Sequence, residues 1–388
     1  MRQSDRTAVL GQSEIRAISK RINAVNGINL GQGICDMPTP EPVREAAKRA
    51  IDEHRSIYSH HAGIEELRRG ILAKAQSYNR IPVTSPDEIV VSVGSTGVFT
   101  AAVLSLFNPG EGAIVFEPFY GYHRDLLRLF GIVPQYVRLR GREWDVPWDE
   151  LEHAVTAASR AIVLTTPGNP NGKVWTREEL TKLLDVATRH DLTIISDEIY
   201  EYMLYDGRPH VSPASLDGGY DRTITLSGFS KTYNMTGWRL GYAVGQPPLI
   251  ENMALINDLV YICAPTPLQH GVSAAFGMDD AYFSELSDDY DTKRTMMCTT
   301  LERIGFDVPW PQGAYYVLAS FEPRADEDGF KDDAQAVLTL IDRAGVGAVR
   351  GSAFFSNPDD GRYLLRFCFA KEMPVLAEAC ERLERAFT

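Results

Sequence analysis

The sequence predicts an α/β fold in which helices cover both faces of a mostly parallel β-sheet. Five short runs are rich in valine and isoleucine and lack polar alternation, which is typical of strands buried on both faces. These runs are residues 88–93, 113–116, 161–165, 192–196 and 223–226. Longer amphipathic stretches separate them, and strands that alternate with helices indicate a parallel sheet with helical crossovers.

One of these amphipathic stretches, residues 177–188, illustrates the helical pattern. Its apolar side chains fall on one stripe at helical spacing, while most other positions are polar. The stripe consists of Leu180, Leu183, Leu184 and Ala187. Thr176 stands where an N-cap is needed, and Glu179 three residues later completes a capping box.

The C-terminal part has a different pattern and predicts a smaller α+β domain over residues 287–388. A long amphipathic helix starts this part, and a proline-rich turn follows at residues 309–311. Residues 314–318 and 363–369 resemble strands, and residues 333–344 between them show helical periodicity. Helices and strands that occur in this mixed order indicate an α+β arrangement.

Composition narrows the function classes. The 388-residue chain has 52 acidic and 39 basic residues and a formal net charge of −13, which argues against nucleic acid or an anionic membrane as the main partner. No run approaches the roughly 18 apolar residues of a membrane span, and no signal peptide is expected. The five cysteines are dispersed without a Cys-x-x-Cys pair, so we expect reduced thiols, a cytoplasmic location and no metal site.

The most informative pattern lies in residues 227–242, which read Ser-Gly-Phe-Ser-Lys-Thr-Tyr-Asn-Met-Thr-Gly-Trp-Arg-Leu-Gly-Tyr. Lys231 follows a predicted strand, and a lysine amine can form a Schiff base with an aldehyde cofactor. Arg239, eight residues later, can pair with a phosphate dianion. Together they predict pyridoxal 5'-phosphate (PLP) as the cofactor. A surface lysine in a turn would explain Lys231 alone, but not the whole string.

This string closely resembles the lysine motif of the class I/II aminotransferases, which are PLP enzymes of fold type I. The resemblance extends from about residue 31 to about residue 370. It implies a large PLP-binding domain over residues 46–286 with a mostly parallel seven-stranded sheet, and an N-terminal segment, residues 1–45, that packs with the small domain. It also implies a homodimer with shared active sites.

Two segments resemble the family's sites for the phosphate and the pyridine ring. Gly94, Ser95 and Thr96 follow a strand and precede the helical pattern of residues 98–107, where backbone N–H groups and the helix dipole favour an anion. Tyr120 matches the aromatic residue that stacks on the pyridine ring in this family. Phe119 is the less favoured candidate for that role.

Three polar residues match the family's contacts to the ring of the cofactor. Asn169 resembles the asparagine that bonds the phenolic oxygen, and Tyr200 matches the tyrosine that bonds the same atom. Asp197 matches the carboxylate that keeps the pyridine nitrogen protonated, so that the ring can accept electrons. Glu198 is the rival carboxylate, but the order of the Asp-Glu-x-Tyr motif favours Asp197.

The remaining cofactor contacts include one departure from the family pattern. Many relatives carry a serine three residues before the lysine, where this chain has Gly228. We expect Ser230, or else Ser227, to supply a hydroxyl group to the phosphate. Tyr58 resembles the tyrosine that reaches the phosphate from the neighbouring subunit.

The substrate contacts also follow from the resemblance. Arg366 matches the arginine that grips the substrate α-carboxylate, and Gly33 would add a backbone contact to the same group. Tyr261 matches a place where relatives put aromatic residues from the partner chain. Arg350 either selects an acidic side chain or is a solvated surface arginine, and the surface interpretation is favoured.

The predicted function is therefore a PLP-dependent aminotransferase that works by a ping-pong mechanism on an amino acid and a 2-oxo acid. Lys231 would hold the cofactor and then transfer the Cα proton. Residues 95–107 contain no lysine of the kind that relatives acting on aspartate carry, which favours neutral or aromatic amino acids. The alternatives are an aspartate-specific aminotransferase, a PLP-dependent carbon–sulfur β-lyase and a non-enzymatic regulator with the same fold. The Met-Thr-Gly-Trp-Arg string favours transamination, and the regulators carry a basic DNA-binding domain that this sequence lacks.

Overall fold

The computed structural model describes residue 4 and residues 14–388. Its strands are β1 (Ile28–Asn29), β2 (Ile89–Val93), β3 (Gly112–Glu117), β4 (Val133–Arg138), β5 (Ser159–Thr165), β6 (Thr193–Asp197), β7 (Thr223–Gly228), β8 (Leu240–Val244), β9 (Tyr316–Ser320), β10 (Val346–Gly347), β11 (Val349–Arg350) and β12 (Leu364–Cys368). Seven of them form one sheet in the order β2-β8-β7-β6-β5-β3-β4. Strand β8 runs opposite to the other six strands of this sheet, which are parallel to one another, and this confirms the predicted mostly parallel α/β fold.

The helices are α1 (Glu14–Ala24), α2 (Glu41–Asp52), α3 (Glu65–Ser77), α4 (Gly94–Leu106), α5 (Gly121–Leu129), α6 (Trp148–Ala154), α7 (Arg177–Arg189), α8 (Pro247–Tyr261), α9 (Thr266–Ser273), α10 (Asp280–Arg303), α11 (Asp333–Ala344) and α12 (Met373–Phe387). They bury both faces of the large sheet. Successive strand residues point to opposite sides. Ala113 and Val115 therefore share a core with α4 and α8, whereas Ile114 and Phe116 share a core with α7.

The C-terminal part is built around a second, antiparallel sheet in the order β11-β12-β9. Helices α10, α11 and α12 share one core with this sheet. The N-terminal segment joins the same core, because β1 pairs with β10 and because Ile18 and Ile22 of α1 are buried there. The domain boundaries at residues 45/46 and 286/287 stay a prediction, and the second falls within α10.

The sequence predicted most of these elements but not all of their limits. Two strands of the large sheet, β4 and β8, were not predicted. Helix α4 begins at Gly94, four residues before the predicted start. The predicted cap of α7 is confirmed, since the Thr176 hydroxyl accepts from the Glu179 N–H and the Glu179 carboxylate accepts from the Thr176 N–H. Among the helices of the described residues, none combines the length and the apolar character required to cross a membrane.

Candidate active site

A cavity of about 320 Å³ lies at the carboxyl ends of β5 and β6, between the large sheet and the C-terminal part. It brings together residues that the sequence places far apart. The predicted site residues in its lining are Gly33, Ser95, Tyr120, Asn169, Asp197, Tyr200, Lys231 and Arg366. Carboxyl ends of parallel strands are the usual place for a ligand site in an open α/β sheet.

Lys231 lies in this cavity directly after β7. Its Nζ atom donates to the backbone oxygen of Gly33 at 3.1 Å and lies 5.4 Å from the ring centre of Tyr315. Burial lowers the pKa of the Lys231 ammonium group, because the charged form loses its hydration. A lysine with a lowered pKa has a larger fraction of neutral amine, which is the form that attacks a carbonyl carbon.

Asp197 is the last residue of β6, and its carboxylate is buried. One oxygen lies 3.1 Å from Nε2 of His123, and the other accepts from the backbone N–H of Ile199 at 3.3 Å. His123 in turn stacks on Phe99 with ring centres 4.4 Å apart. We had not predicted a role for His123. The only signal in the sequence is a histidine three residues after Tyr120, in the first turn of α5.

Glu198, the rival of Asp197, points to the other side of the strand end. It lies in a set of polar residues with mostly buried side chains that we call the back cluster: Lys74, Asn79, Glu198, Glu201 and His210. Glu198 accepts from the hydroxyls of Ser196 and Ser212 at 2.9 and 2.7 Å, and His210 Nε2 lies 2.7 Å away. The structure therefore places Asp197, not Glu198, in the cavity.

The Glu201 carboxylate of the back cluster already has a cationic partner within the protein. Glu201 accepts from the Lys74 ammonium group, and it also accepts from Asn79 and Ser227 at 2.7 Å each. Burial favours a raised pKa for Glu201, but the Lys74 charge and the hydrogen bonds outweigh burial and lower it. Ligand atoms of Glu198, Glu201 and His210 lie within 4.8 Å of one another, yet the Lys74 ammonium already supplies the positive charge there. The expectation that no metal binds stays a prediction.

The predicted phosphate site forms where β2 meets α4. Gly94 has a φ of +70°, and a Cβ atom added there would lie only 2.5 Å from Nη2 of Arg239. The Arg239 guanidinium therefore lies against this turn, and Nη1 of Arg239 donates to the Thr236 oxygen at 2.9 Å. Ser95 and Thr96 follow in the first helical turn, whose backbone N–H groups have no partners within the helix. The arrangement is suited to an anion.

There is a steric reason why this chain has glycine at position 228, where many relatives carry serine. A Cβ atom added at Gly228 would lie 3.0 Å from Cδ1 of Ile199 and 3.1 Å from the Leu240 oxygen. The Ser227 hydroxyl already donates to Glu201. Ser230 is buried next to Lys231, outside the cavity lining, and is the better candidate for the hydroxyl that we expected at the phosphate.

Arg366 projects from β12 and is almost fully buried. Nη1 donates to Oδ1 of Asn169 at 3.0 Å, and Nη2 donates to the Gly31 oxygen at 2.6 Å. Because Oδ1 of Asn169 is thereby occupied, the amide nitrogen of Asn169 keeps its donors for another ligand. Arg366 is thus linked directly to one of the residues expected at the cofactor.

The two aromatic residues considered for stacking on the pyridine ring lie in different places. Tyr120 lines the cavity, whereas Phe119 is buried in the core. Tyr122 also lines the cavity and stacks on Tyr120 with ring centres 5.3 Å apart. The lining further includes Ile34 and Tyr316, which we had not predicted.

Tyr58 and Tyr261 lie outside the cavity. The Tyr58 side chain is 76% exposed. Tyr261 is the last residue of α8, and its ring lies 3.6 Å from the place of a Cβ atom on Gly97, close to the predicted phosphate site of the same chain. Arg350 is paired with Asp333 at 3.2 Å and is also absent from the lining.

The cavity fits PLP in the chemistry of its groups. An anion site with an arginine, a buried carboxylate and a lysine of lowered pKa are the partners that a phosphate, a pyridine nitrogen and an aldehyde require. Asn169 and Tyr200 also line the cavity and can donate to a phenolic oxygen.

Comparison with known proteins agrees with this geometry. The sequence model of the family "Aminotransferase class I and II" matches residues 25–383. The chain is 33% identical to aromatic-amino-acid aminotransferase 2 of Thermococcus litoralis and 33% identical to the aspartate aminotransferase of Pyrococcus abyssi, in each case over 99% of this chain and 98% of that protein. The solved structure of N-succinyldiaminopimelate aminotransferase from Mycobacterium tuberculosis matches with a TM-score of 0.93 and 30% identity, over 99% of this chain and 100% of that one. With its sequence, fold and cavity in agreement, the chain belongs to the class I and II aminotransferase family.

Proposed function

We propose that this aminotransferase holds PLP through Lys231 and transfers the amino group of a neutral or aromatic L-amino acid to a 2-oxo acid in a ping-pong reaction. The observation that carries the proposal is the meeting of Lys231, Asp197 and Arg366 in one cavity. A cytoplasmic location, which the dispersed free cysteines favour, is part of the same proposal.

Each residue has a distinct task in this proposal. When bound, PLP supplies an aldehyde for the substrate amine and a ring that accepts the electrons left on Cα. Arg366 binds the substrate carboxylate and thereby orients the Cα–H bond. The neutral Lys231 amine, once the substrate amine has displaced it, removes the Cα proton and later delivers it to the C4′ carbon of the cofactor. Asp197, held by His123, keeps the pyridine nitrogen protonated, and Asn169 and Tyr200 donate to the phenolic oxygen.

The walls of the cavity support a neutral or aromatic substrate side chain. Ile34, Tyr120 and Tyr122 contribute apolar and aromatic surface. Among the residues of this chain that line the cavity, only Lys231 and Arg366 carry positive charge, and both already have tasks. Arg350 is paired with Asp333 and lies outside the lining, so among the described residues this chain presents no further cation to an acidic side chain in the cavity. The Thermococcus relative, whose name specifies aromatic amino acids, agrees with this choice.

An aspartate-specific enzyme is the second candidate, because the Pyrococcus relative carries that name. The test is a panel of amino acids with 2-oxoglutarate as acceptor, in which 2-oxo acid and ammonia are both measured. We expect phenylalanine, tyrosine or methionine to give the highest kcat/KM, with no ammonia. A preference for aspartate would overturn the substrate proposal, and ammonia release from a sulfur amino acid would indicate the β-lyase.

The proposed homodimer rests on an exposed apolar surface beside the phosphate site. Its residues are Ile57, Tyr58, Leu255, Leu259, Val260 and Ile262. Leu259 is 85% exposed, which is unusual for a leucine in a helix that is otherwise packed on α4. A second copy of the chain would cover this surface and would bring Tyr58 to the partner's phosphate and Tyr261 to the partner's substrate.

Subunit mixing tests the shared site. Chains with Lys231→Ala are mixed with chains that carry an inactivating substitution of Tyr58. If Tyr58 acts in the neighbouring subunit, each heterodimer has one site with both lesions and one with neither, so random mixing should restore about a quarter of the native sites. Mixing Lys231→Ala with Arg366→Ala is the control and should restore nothing, because both residues serve the same site. No recovery after proven exchange would place Tyr58 in its own chain's site.

A further inference from the structure

Strand pairing brings Tyr316 next to the arginine that we expect to bind the carboxylate. Arg366 of β12 lies opposite Leu318 of β9, and Cys368 lies opposite Tyr316. Tyr316 and Arg366 are therefore diagonal neighbours on one face of the small sheet, a separation that an aromatic and a long side chain can bridge. Both side chains are almost fully buried.

The ring of Tyr316 faces the Arg366 guanidinium. The guanidinium carbon lies 4.4 Å from the Tyr316 ring centre and 5.1 Å from that of Phe354. The hydrogen bonds to Asn169 and Gly31 restrain the guanidinium within its own plane, but they leave it free to tilt. An aromatic face against the cation opposes tilting and attracts the charge where water is excluded.

The other end of Tyr316 reaches the cofactor side of the cavity. Its hydroxyl oxygen accepts a hydrogen bond from the Tyr200 hydroxyl at 3.4 Å. A Cβ atom at Gly33 would overlap the Tyr316 hydroxyl, so the tyrosine fits only because residue 33 is glycine. Burial raises the pKa of Tyr316 to about 12, and its phenol therefore stays neutral and can donate or accept.

We propose that Tyr316 is a positioning residue with two separable effects. Its ring sets the plane in which Arg366 receives the substrate carboxylate. Its hydroxyl supports Tyr200: when Tyr200 turns its proton from Tyr316 to the phenolic oxygen, it can accept from Tyr316 in return, and a hydroxyl that accepts becomes a stronger donor. The inference rests on the proposed roles of Arg366 and Tyr200, so variants of those two residues accompany each test.

The ring is tested by ligand binding without turnover. Calorimetry measures the affinity of the PLP-loaded enzyme for 3-phenylpropionate and for succinate, which carry carboxylates but no amine. Tyr316→Leu should weaken binding of the better ligand about tenfold, and Tyr316→Phe, which keeps the ring, should stay within about twofold. Phe354→Leu, which removes the more distant ring, should have the smaller effect of the two leucine variants.

The variant Arg366→Lys distinguishes a failure of the Tyr316 ring effect from a failure of the carboxylate role of Arg366. If Arg366→Lys loses binding while Tyr316→Leu binds like the wild type, the ring effect is overturned and the role of Arg366 stands. If Arg366→Lys itself binds like the wild type, the carboxylate site has been assigned to the wrong residue. Removal of a core ring should lower the melting temperature of Tyr316→Leu, but the protein should stay folded at the temperature of the assay and its PLP dissociation constant should remain near the wild-type value. Failure to fold or loss of PLP binding would assign the residue a merely structural role.

The hydroxyl is tested by a pH titration of the visible absorbance of the PLP-loaded enzyme. A donor at the phenolic oxygen favours loss of the proton from the Lys231 nitrogen, so loss of donor strength should raise the titration midpoint. We expect Tyr316→Phe to raise it by about half a pH unit and Tyr200→Phe to raise it further. If the midpoint is unchanged in Tyr316→Phe but raised in Tyr200→Phe, the hydroxyl effect of Tyr316 is overturned, while the role of Tyr200 and the ring effect of Tyr316 stand.

Discussion

Asp197 and Glu198 are consecutive residues at the end of β6, yet they serve opposite sides of the molecule. Asp197 lines the cavity, and among the described residues its partners are His123 and one backbone N–H. Glu198 belongs to the back cluster, where serine hydroxyls and His210 surround its two oxygens. Both carboxylates are buried, so burial alone does not distinguish a functional charge from a structural one.

The number of donors does distinguish them. A buried carboxylate that the protein satisfies fully contributes to stability, because the cost of its desolvation is offset within the fold. A buried carboxylate with spare acceptor capacity beside a cavity is kept for a ligand. The same contrast holds for two partly buried lysines: Lys74 donates to Glu201 and Tyr242, whereas the Lys231 ammonium has no carboxylate partner among the described residues.

The largest expected effect concerns the two lysines. Lys231→Ala should lower turnover by several orders of magnitude while the protein stays folded, because the amine that holds PLP and moves the proton is gone. Lys74→Met should instead lower stability and keep the turnover of the folded fraction. Borohydride treatment of the wild type, followed by peptide mapping, should place the cofactor on Lys231. A label on Lys74 would reverse the assignment.

The neighbouring carboxylates give the next largest contrast. Asp197→Asn should lower kcat about 10²- to 10³-fold, since a neutral amide cannot hold the proton on the pyridine nitrogen. Glu198→Gln is the matched control, one residue away and of the same chemistry, and its kcat should stay within about threefold of the wild-type value. Steady-state kinetics on the folded fraction of each variant measure the two kcat values. Equal losses in both variants would show that the two sides of the strand end are coupled.

The ion pair of the back cluster should affect the free energy of unfolding and the way in which that free energy depends on pH. Glu201→Gln leaves the buried Lys74 ammonium without its carboxylate, which we expect to lower the free energy of unfolding by about 3 kcal/mol at pH 7. The pKa of Glu201 is lowered in the folded protein, so its stabilisation is complete above the ordinary value of 4.5 and is lost as the pH falls through the folded value. Urea titrations should therefore show that the difference in the free energy of unfolding between the wild type and Glu201→Gln decreases as the pH falls below about 4.5. A difference in the free energy of unfolding between the two proteins that does not change with pH would argue against the ion pair.

Local patterns predicted the fold well where a strand is continuously apolar, and less well elsewhere. Strand β4 reads Val-Pro-Gln-Tyr-Val-Arg and lies at the sheet edge, where burial is partial and no apolar run is needed. Strand β8 contains Gly241 and directly follows Arg239, so its residues were assigned to the lysine motif.

The site residues show the same limit. Those within a motif, such as Lys231 and Asp197, could be predicted from the string that contains them. His123 and Tyr316 could not be predicted in this way, because their importance comes from contacts with residues far away in the sequence. His123 contacts Asp197, and Tyr316 contacts Arg366.

Two serines of one segment provide the smallest and sharpest test of the comparison. Ser227→Ala removes a donor from the buried Glu201 and should lower the free energy of unfolding by about 1 kcal/mol without changing the PLP dissociation constant. Ser230→Ala removes the hydroxyl that we expect at the phosphate, and it should raise the PLP dissociation constant about tenfold with little change in the stability of the PLP-free protein. Urea unfolding of the PLP-free protein and fluorescence titration with PLP measure the two quantities independently. Because the serines are three residues apart and undergo the same substitution, a crossed result, in which Ser227→Ala weakens PLP and Ser230→Ala weakens the fold, would show that the cofactor side and the back cluster had been assigned in reverse.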